Sequence, residues 1–184
     1  MSTIHLSSYV LSSRANGPGD RFVLWTQGCS LQCRGCWNGH TWPQESPKTQ
    51  SMSVDTLWDM IQIQSDNIEG VTFSGGEPLE QVSGLMELAQ RINDSCLSLV
   101  IFTGYYPVEW TVEQRRLMKL ADIVIAGRYI EALRTDGDDM KASSNQEVVF
   151  VSSRYRQEDI EKTVEFWIDE TGNVKVTGFP VDFL

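Results

Sequence analysis

The chain has 184 residues, of which 41% are hydrophobic, and a formal net charge of −10. This length suits one domain and is too short for a complete eightfold β/α barrel, which takes about 250 residues. The excess of acidic residues argues against a nucleic-acid partner, because phosphate backbones are bound by basic surfaces. The sequence contains no run of about 18 apolar residues and no signal-peptide pattern at its start, so we expect no membrane segment and a cytoplasmic protein.

Strands and helices are predicted to alternate along the first 151 residues. Helices are predicted from Ser53, over 79–92, and after the capping-box pair Thr111 and Gln114, where apolar residues recur at helical spacing. This alternation predicts an α/β fold with a mostly parallel sheet and ligand sites at the carboxyl ends of the strands. The predicted strands are RFVLWTQ (21–27), GVTFSGGEP (70–78), LSLVIFTGYY (97–106), ADIVIAG (121–127) and EVVFVSS (147–153).

A C-terminal extension of about 152–184 follows this body. Its segment VEFWIDETGNVKVTG (164–178) alternates around a polar turn, which predicts a β-hairpin. A two-stranded hairpin is marginal alone, so we expect its apolar face to rest on the edge of the sheet or on a partner. In the second case, Trp167 on the opposite face is the expected anchor. The apolar face comprises Phe166, Ile168, Val174 and Val176.

Three of the four cysteines, Cys29, Cys33 and Cys36, lie close together directly after the first predicted strand. In a reducing cytoplasm, such a group more often holds metal than a disulfide. The spacing leaves two metal sites open. One is a structural zinc site with His40 as the fourth ligand, and the other is a [4Fe–4S] cluster in which one iron lacks a protein ligand. Cys96, at the start of a predicted buried strand, is expected to be a packed thiol.

The strand at 70–78 ends in the unusual sequence Ser74-Gly75-Gly76-Glu77-Pro78. Two successive glycines let a ligand approach the main chain closely. The structural alternative is an ordinary strand-to-helix turn with Pro78 at the first helical position. Together with the Cys-x3-Cys-x2-Cys loop, this segment resembles the radical S-adenosylmethionine (SAM) superfamily.

Further segments resemble one branch of that superfamily, the glycyl-radical-enzyme activases, and above all the activating proteins of anaerobic ribonucleotide reductase. The resemblance runs from about residue 14 to residue 151. Together with the chain length it predicts a single radical SAM domain over 1–184, with an incomplete β/α barrel or an open α/β sheet as its core. The segments that carry it are Asn16-Gly-Pro-Gly-x-Arg21, Gly35-Cys-Trp-Asn38, Thr103-Gly-Tyr105, Asp122-Ile-Val-Ile-Ala-Gly-Arg-Tyr129 and Ser143-Ser-Asn-Gln146.

This resemblance implies that Cys29, Cys33 and Cys36 hold a [4Fe–4S] cluster whose open iron binds SAM. The methionine part of SAM would lie at 74–77, with the Trp37 ring near the adenine. Thr103 would reach the ribose, although a buried strand-end hydroxyl explains this residue equally well. The implied SAM contacts are Gly35, Cys36, Trp37, Ser74, Gly75, Gly76, Glu77 and Thr103.

The implied reaction is reductive cleavage of SAM to methionine and a 5′-deoxyadenosyl radical, which takes a hydrogen atom from a backbone glycine of a protein partner. A flavodoxin- or ferredoxin-type protein would donate the electron. Two features depart from the activase pattern: Glu77 stands where an aspartate is frequent, and the extension lies outside the pattern. A stand-alone radical SAM enzyme acting on a peptide or small metabolite, and a zinc-bearing interaction module, therefore remain alternatives.

Overall fold

The structure, a computed structural model, describes residues 2–136, 139–168, 170–172 and 174–179. Within these ranges the chain forms nine strands and three α-helices. The strands are β1 (Thr3–Ser13), β2 (Arg21–Thr26), β3 (Gln50–Ser53), β4 (Gly70–Gly75), β5 (Ser98–Thr103), β6 (Ile123–Ala126), β7 (Glu147–Phe150), β8 (Val164–Ile168) and β9 (Val174–Gly178). The helices are α1 (Val54–Gln64), α2 (Val82–Asn93) and α3 (Val112–Met118).

Seven strands form one sheet in the order β3-β1-β2-β4-β5-β6-β7. Strands β2, β4, β5 and β6 pair in parallel, whereas β1 is antiparallel to both β2 and β3 and β7 is antiparallel to β6. Five of the seven strands therefore run in one direction, which confirms the mostly parallel sheet. In the described part of the chain, β3 and β7 are the two edges of this sheet, and the sheet is open between them. The incomplete barrel stays a prediction. Sequence patterns did not predict β1 or β3.

Two of the three predicted helix starts are confirmed by their caps. The Ser53 hydroxyl accepts from the Thr56 amide at 3.0 Å at the start of α1, and Thr111 and Gln114 form the capping box of α3. The helix expected over 79–92 begins differently. A 3₁₀ turn at Pro78–Glu80 comes first, and α2 starts only at Val82. None of the described helices is long and apolar enough to cross a membrane.

The two faces of the sheet are covered by different partners. Successive strand residues point to opposite faces. Leu99 and Val124 therefore pack with buried side chains of all three helices, whereas Val100 and Ile123 pack in a second cluster with residues of the extension. We call the first side the helix face and the second the cavity face. The extension supplies Tyr155, Ile160 and Phe179 to the cavity face.

A fully buried arginine, Arg21, lies on the cavity face. Its guanidinium donates to the Thr72 and Ser98 hydroxyls and to three backbone carbonyls, at 2.7 to 3.2 Å. Burial lowers the pKa of Arg21, and the nearby Tyr155 counteracts this effect. The Tyr155 hydroxyl contacts Ser98 and the Glu69 carboxylate. The extension thereby completes the polar network around a buried charge.

The predicted hairpin is confirmed: β8 and β9 pair antiparallel. The expectation that its apolar face rests on the sheet is wrong. The polar face turns inward, where Thr177 is buried and Glu165 accepts hydrogen bonds from Ser13 and from the Arg14 amide. The apolar side chains face outward, with exposed fractions of 50% for Phe166, 71% for Ile168, 58% for Val174 and 43% for Val176.

Candidate functional site

A cavity of about 490 Å³ lies at the carboxyl ends of the central parallel strands. This volume is within the usual range of sites for small molecules and cofactors. Gly35 is not among the lining residues in the described chain; an added Cβ there would come within 2.7 Å of Glu131. The other predicted site residues all line the cavity: Cys29, Cys33, Cys36, Trp37, Ser74, Gly75, Gly76, Glu77 and Thr103.

Backbone pairing fixes the loop that carries the three cysteines. The Gly28 amide donates to the Thr41 carbonyl at 2.8 Å, and the Cys29 amide donates to the Trp42 carbonyl at 3.1 Å. Cys29 is buried, whereas Cys33 and Cys36 are half-buried. Burial raises the pKa of the Cys29 and Cys33 thiols. Their thiolates therefore need a nearby positive charge, which a bound metal provides.

The three thiols suit a cluster in number, since three thiolates can bind three irons and leave the fourth without a protein ligand. All three line one cavity. Among the described residues, no three His, Cys, Asp or Glu side chains lie close enough together to hold a single metal ion, and the role of the three thiols as cluster ligands stays a prediction. His40 also lines the cavity, on the 3₁₀ turn Gly39–Thr41.

The glycine pair fastens the end of β4 to the cysteine loop. The Gly76 amide donates to the Thr26 carbonyl at 2.8 Å, and the Glu77 amide donates to the Gly28 carbonyl at 2.8 Å. A Cβ on Gly76 would lie 2.2 Å from the Gly28 oxygen, and Gly75 has a φ of +108°. The chain's own backbone therefore already requires both glycines, and a larger residue at 76 would displace the cysteine loop itself.

Glu77 connects the ends of β4 and β5. Its carboxylate is 1% exposed and accepts from the Leu79 amide at 2.9 Å, the Thr103 hydroxyl at 2.8 Å and the Gly104 amide at 2.8 Å. Burial raises the pKa of Glu77 to about 7, although these hydrogen bonds act in the opposite direction. The Thr103 hydroxyl, at the end of β5, thus already donates to a neighbouring side chain. Its contact with a ribose stays a prediction.

Aromatic side chains also line the cavity. The Trp37 ring centroid lies 6.1 Å from that of Tyr129 and 6.1 Å from that of Phe179, which meets Trp37 nearly edge-on at 77°. Phe102 lies 6.2 Å from Phe179. Sequence analysis did not single out Phe179, since nothing in the pattern after the hairpin indicates that the chain returns to the cavity. The cavity lining therefore combines the three thiols and the glycine turn with a group of aromatic rings, and Trp37 directly follows Cys36 in the chain.

Two further residues lie outside the group of predicted cofactor contacts. Arg128 pairs with the Glu109 carboxylate through two hydrogen bonds of 2.6 and 2.8 Å, and the Glu109 side chain raises the pKa of the guanidinium. The expectation that Cys96 is a packed thiol is wrong. Cys96 is exposed, because β5 begins two residues later, at Ser98, and Cys96 lies in the preceding turn.

Comparisons with known proteins agree with this site. The model of the 4Fe-4S single cluster domain family matches residues 15–149. The chain is 31% identical over 137 residues to the anaerobic ribonucleoside-triphosphate reductase-activating protein of Vibrio cholerae, covering 71% of this chain and 88% of that protein. It is 32% identical over 139 residues to the protein of the same name from Escherichia coli K12, covering 72% and 90%.

A solved structure shares the fold. The crystal structure of QueE from Escherichia coli aligns with a TM-score of 0.54 and 19% identity, covering 70% of this chain and 61% of the QueE chain. At that identity the likeness concerns the fold alone. The family match ends at residue 149, before the extension begins.

Proposed function

Since the chain belongs to the family of anaerobic ribonucleoside-triphosphate reductase-activating proteins, within the radical SAM superfamily, we propose that it activates a reductase of that type. Its cofactors are a [4Fe–4S] cluster and SAM. The chemistry that these groups supply when bound is one-electron cleavage of SAM to methionine and a 5′-deoxyadenosyl radical, which takes a hydrogen atom from a glycine of the partner.

The observation that supports this function best is the convergence of two sequence segments on one cavity. The loop with Cys29, Cys33 and Cys36 and the turn at 74–77 are separated in the chain but line the same cavity at the ends of β2 and β4. In this proposal the three thiolates bind three irons of the cluster. The glycine turn and Glu77, which line the same cavity, would offer main-chain oxygens and a carboxylate to the methionine part of SAM.

Glu77 is proposed to receive the ammonium group of SAM. Burial disfavours its ionised form, as the raised pKa reflects, and an incoming cation would reverse that preference. Trp37 is proposed to lie against the adenine. The chain would thus bind both the methionine part and the base of SAM, which would position the bond to be cleaved.

We propose that the partner is a protein, because the relatives are named for activating a reductase. The electron donor is proposed to be a flavodoxin- or ferredoxin-type protein, and the compartment the cytoplasm. The chain is proposed to act as one domain, with a core of about 14–151 and the extension as part of the same unit.

The test begins with single alanine substitutions of Cys29, Cys33 and Cys36 in protein reconstituted anaerobically with iron and sulfide. Each variant should lose the iron and the visible absorption of the cluster, because each thiolate holds one iron. Cys96→Ala and His40→Ala are matched controls that should keep both. Loss of iron in Cys96→Ala alone, or zinc in place of iron in the wild type, would contradict the ligand assignment.

The partner is tested separately. Wild-type protein with a chemical reductant should convert SAM to 5′-deoxyadenosine. When the anaerobic reductase from the same source is added, a glycyl radical should appear in its electron paramagnetic resonance spectrum. SAM cleavage without any glycyl radical on that reductase would keep the radical SAM chemistry and overturn the partner.

A further inference from the structure

The extension follows the end of the family match, and its last described residues line part of the cavity. The last described residues of β9 and the residue after them, Thr177, Gly178 and Phe179, line the same cavity as the three cysteines. They lie well beyond residue 149, where the family match ends. This chain therefore builds part of its cofactor cavity from residues that the shared domain does not include.

Specific contacts hold this segment in place. The Asn16 amide group donates to the Thr177 hydroxyl at 3.1 Å, and the Phe179 backbone amide donates to the Thr163 carbonyl at 3.1 Å. Gly178 has a φ of +94°, and a Cβ there would lie 2.2 Å from the Thr163 oxygen and 2.7 Å from Ala15. The turn therefore requires glycine and directs the next side chain inward.

The Phe179 ring supports the aromatic part of the cavity lining. It is 8% exposed, and its ring lies at 77° to that of Trp37, which is itself 37% exposed. The Lys162 ammonium lies 5.2 Å from the Phe179 ring centre. Phe179, Tyr129 and the Arg134 guanidinium, which lies 5.6 Å from the Trp37 ring centre, all contact Trp37 and together restrict the orientation of its indole.

We propose that the extension completes the SAM site of this enzyme, with Phe179 as the residue that positions Trp37 against the adenine. This inference depends on the proposed function. SAM carries a charged amino-acid part and a flat heteroaromatic base, and the cavity is lined both by the glycine turn with Glu77 and by aromatic rings. Bases bind favourably against aromatic rings, and fixing a ring beforehand removes part of the entropic cost of binding.

A consequence of this arrangement is reciprocal coupling. If the docked extension strengthens SAM binding, bound SAM must stabilise the docked extension by the same factor. The coupling can therefore be measured from either end, by the affinity for SAM or by the protection of the extension from a protease.

The first experiment measures the dissociation constant of SAM by equilibrium dialysis on reconstituted Phe179→Ala, Phe179→Tyr and Phe166→Ala proteins, with iron per chain determined for each. Phe179→Ala should bind SAM about tenfold more weakly, given the usual contribution of base–aromatic contacts. Phe179→Tyr keeps the ring and should bind near the wild-type level. Phe166→Ala is the matched control, since Phe166 belongs to the outward face of the hairpin. Unchanged SAM affinity in Phe179→Ala at wild-type iron content would overturn the proposal.

The second experiment uses the wild type and covers the outcome that Phe179→Ala fails to fold or to keep iron. Trypsin can cut at Arg154 and Arg156 in the extension, and saturating SAM should slow these cuts several-fold in cluster-loaded protein. Equal rates with and without SAM would overturn the proposal. A wild type that builds no cluster or binds no SAM would instead contradict the proposed function, so the two failures are distinguishable.

Discussion

The helix face and the cavity face of the sheet are built on different principles. The helix face is a continuous apolar core between the strands and three amphipathic helices, in which Leu88 and Leu99 are almost completely buried. The cavity face has a smaller apolar cluster, a buried guanidinium and the cofactor cavity, and its cover comes from the extension. A single substitution in the core should therefore cost more stability on the helix face, and cofactor binding should depend on the cavity face.

The largest expected effect comes from uncovering the cavity face. Truncation after Ser152 removes Tyr155, Ile160 and Phe179 together and should cost more than about 5 kcal/mol, which is comparable to the whole stability of a typical domain. The truncated chain should be insoluble or should lose its iron, as soluble yield and iron analysis will tell. A chain that ends at Phe179 is the control. A truncated chain with normal iron and melting temperature would remove the structural role of the extension.

Two substitutions, one on each face, measure how much each face contributes to the free energy of unfolding. Leu88→Ala should lower the free energy of unfolding by about 2–5 kcal/mol, because it leaves a cavity in the helix-face core. Tyr155→Phe should cost about 1–3 kcal/mol, because Glu69 and Ser98 lose a buried hydrogen-bond donor. Urea denaturation of the cluster-free proteins provides both values. A larger loss for Tyr155→Phe than for Leu88→Ala would reverse the assignment of stability to the helix face.

A pH titration tests the chemistry of the cavity face. The pKa of Glu77 is raised to about 7, so the folded protein favours the neutral acid and this group's contribution to stability falls as the pH rises through that value. The ammonium of SAM needs the ionised form. SAM affinity should therefore rise about tenfold between about pH 6 and pH 8. Glu77→Gln should bind SAM weakly and without this pH dependence, and a parallel slope in both proteins would exclude Glu77 as its source.

The smallest effect is expected on the outward face of the hairpin. Ile168 and Val174 are 71% and 58% exposed, so Ile168→Thr and Val174→Thr should change the free energy of unfolding by no more than about 0.5 kcal/mol. SAM cleavage with a chemical reductant should also be unchanged. Thermal unfolding of each variant checks this, and a loss of several degrees would mean that this face is covered in solution.

The sequence predicted the helix face better than the cavity face. Local signals such as the Ser53 cap and the Thr111–Gln114 capping box fix where α1 and α3 begin, because each depends on neighbours in the chain. β1 was missed because TIHLSSYVLSS mixes apolar residues with several serines and lacks clear alternation. The direction of β7 could not be read from its composition, because an edge strand can pair either way.

In the candidate site, only residues that lie close together in the sequence could be predicted. The cysteine loop and the glycine turn are compact sequence patterns, and both line the cavity as expected. Phe179 and the inward polar face of the hairpin depend on contacts across more than 140 residues, such as that of Glu165 with Ser13. Alternation in a strand tells which residues share a face, but not which of its two faces is covered.

The hydrogen bond between Asn16 and Thr177 joins positions 161 residues apart, so it forms late during synthesis. At roughly 5–20 residues per second, Thr177 leaves the ribosome several seconds or more after the cysteine loop. During that interval the three thiols lie in a cavity without its last wall. A chain released early by an interrupted ribosome would therefore carry the three cysteines without the cavity wall that Thr177, Gly178 and Phe179 supply.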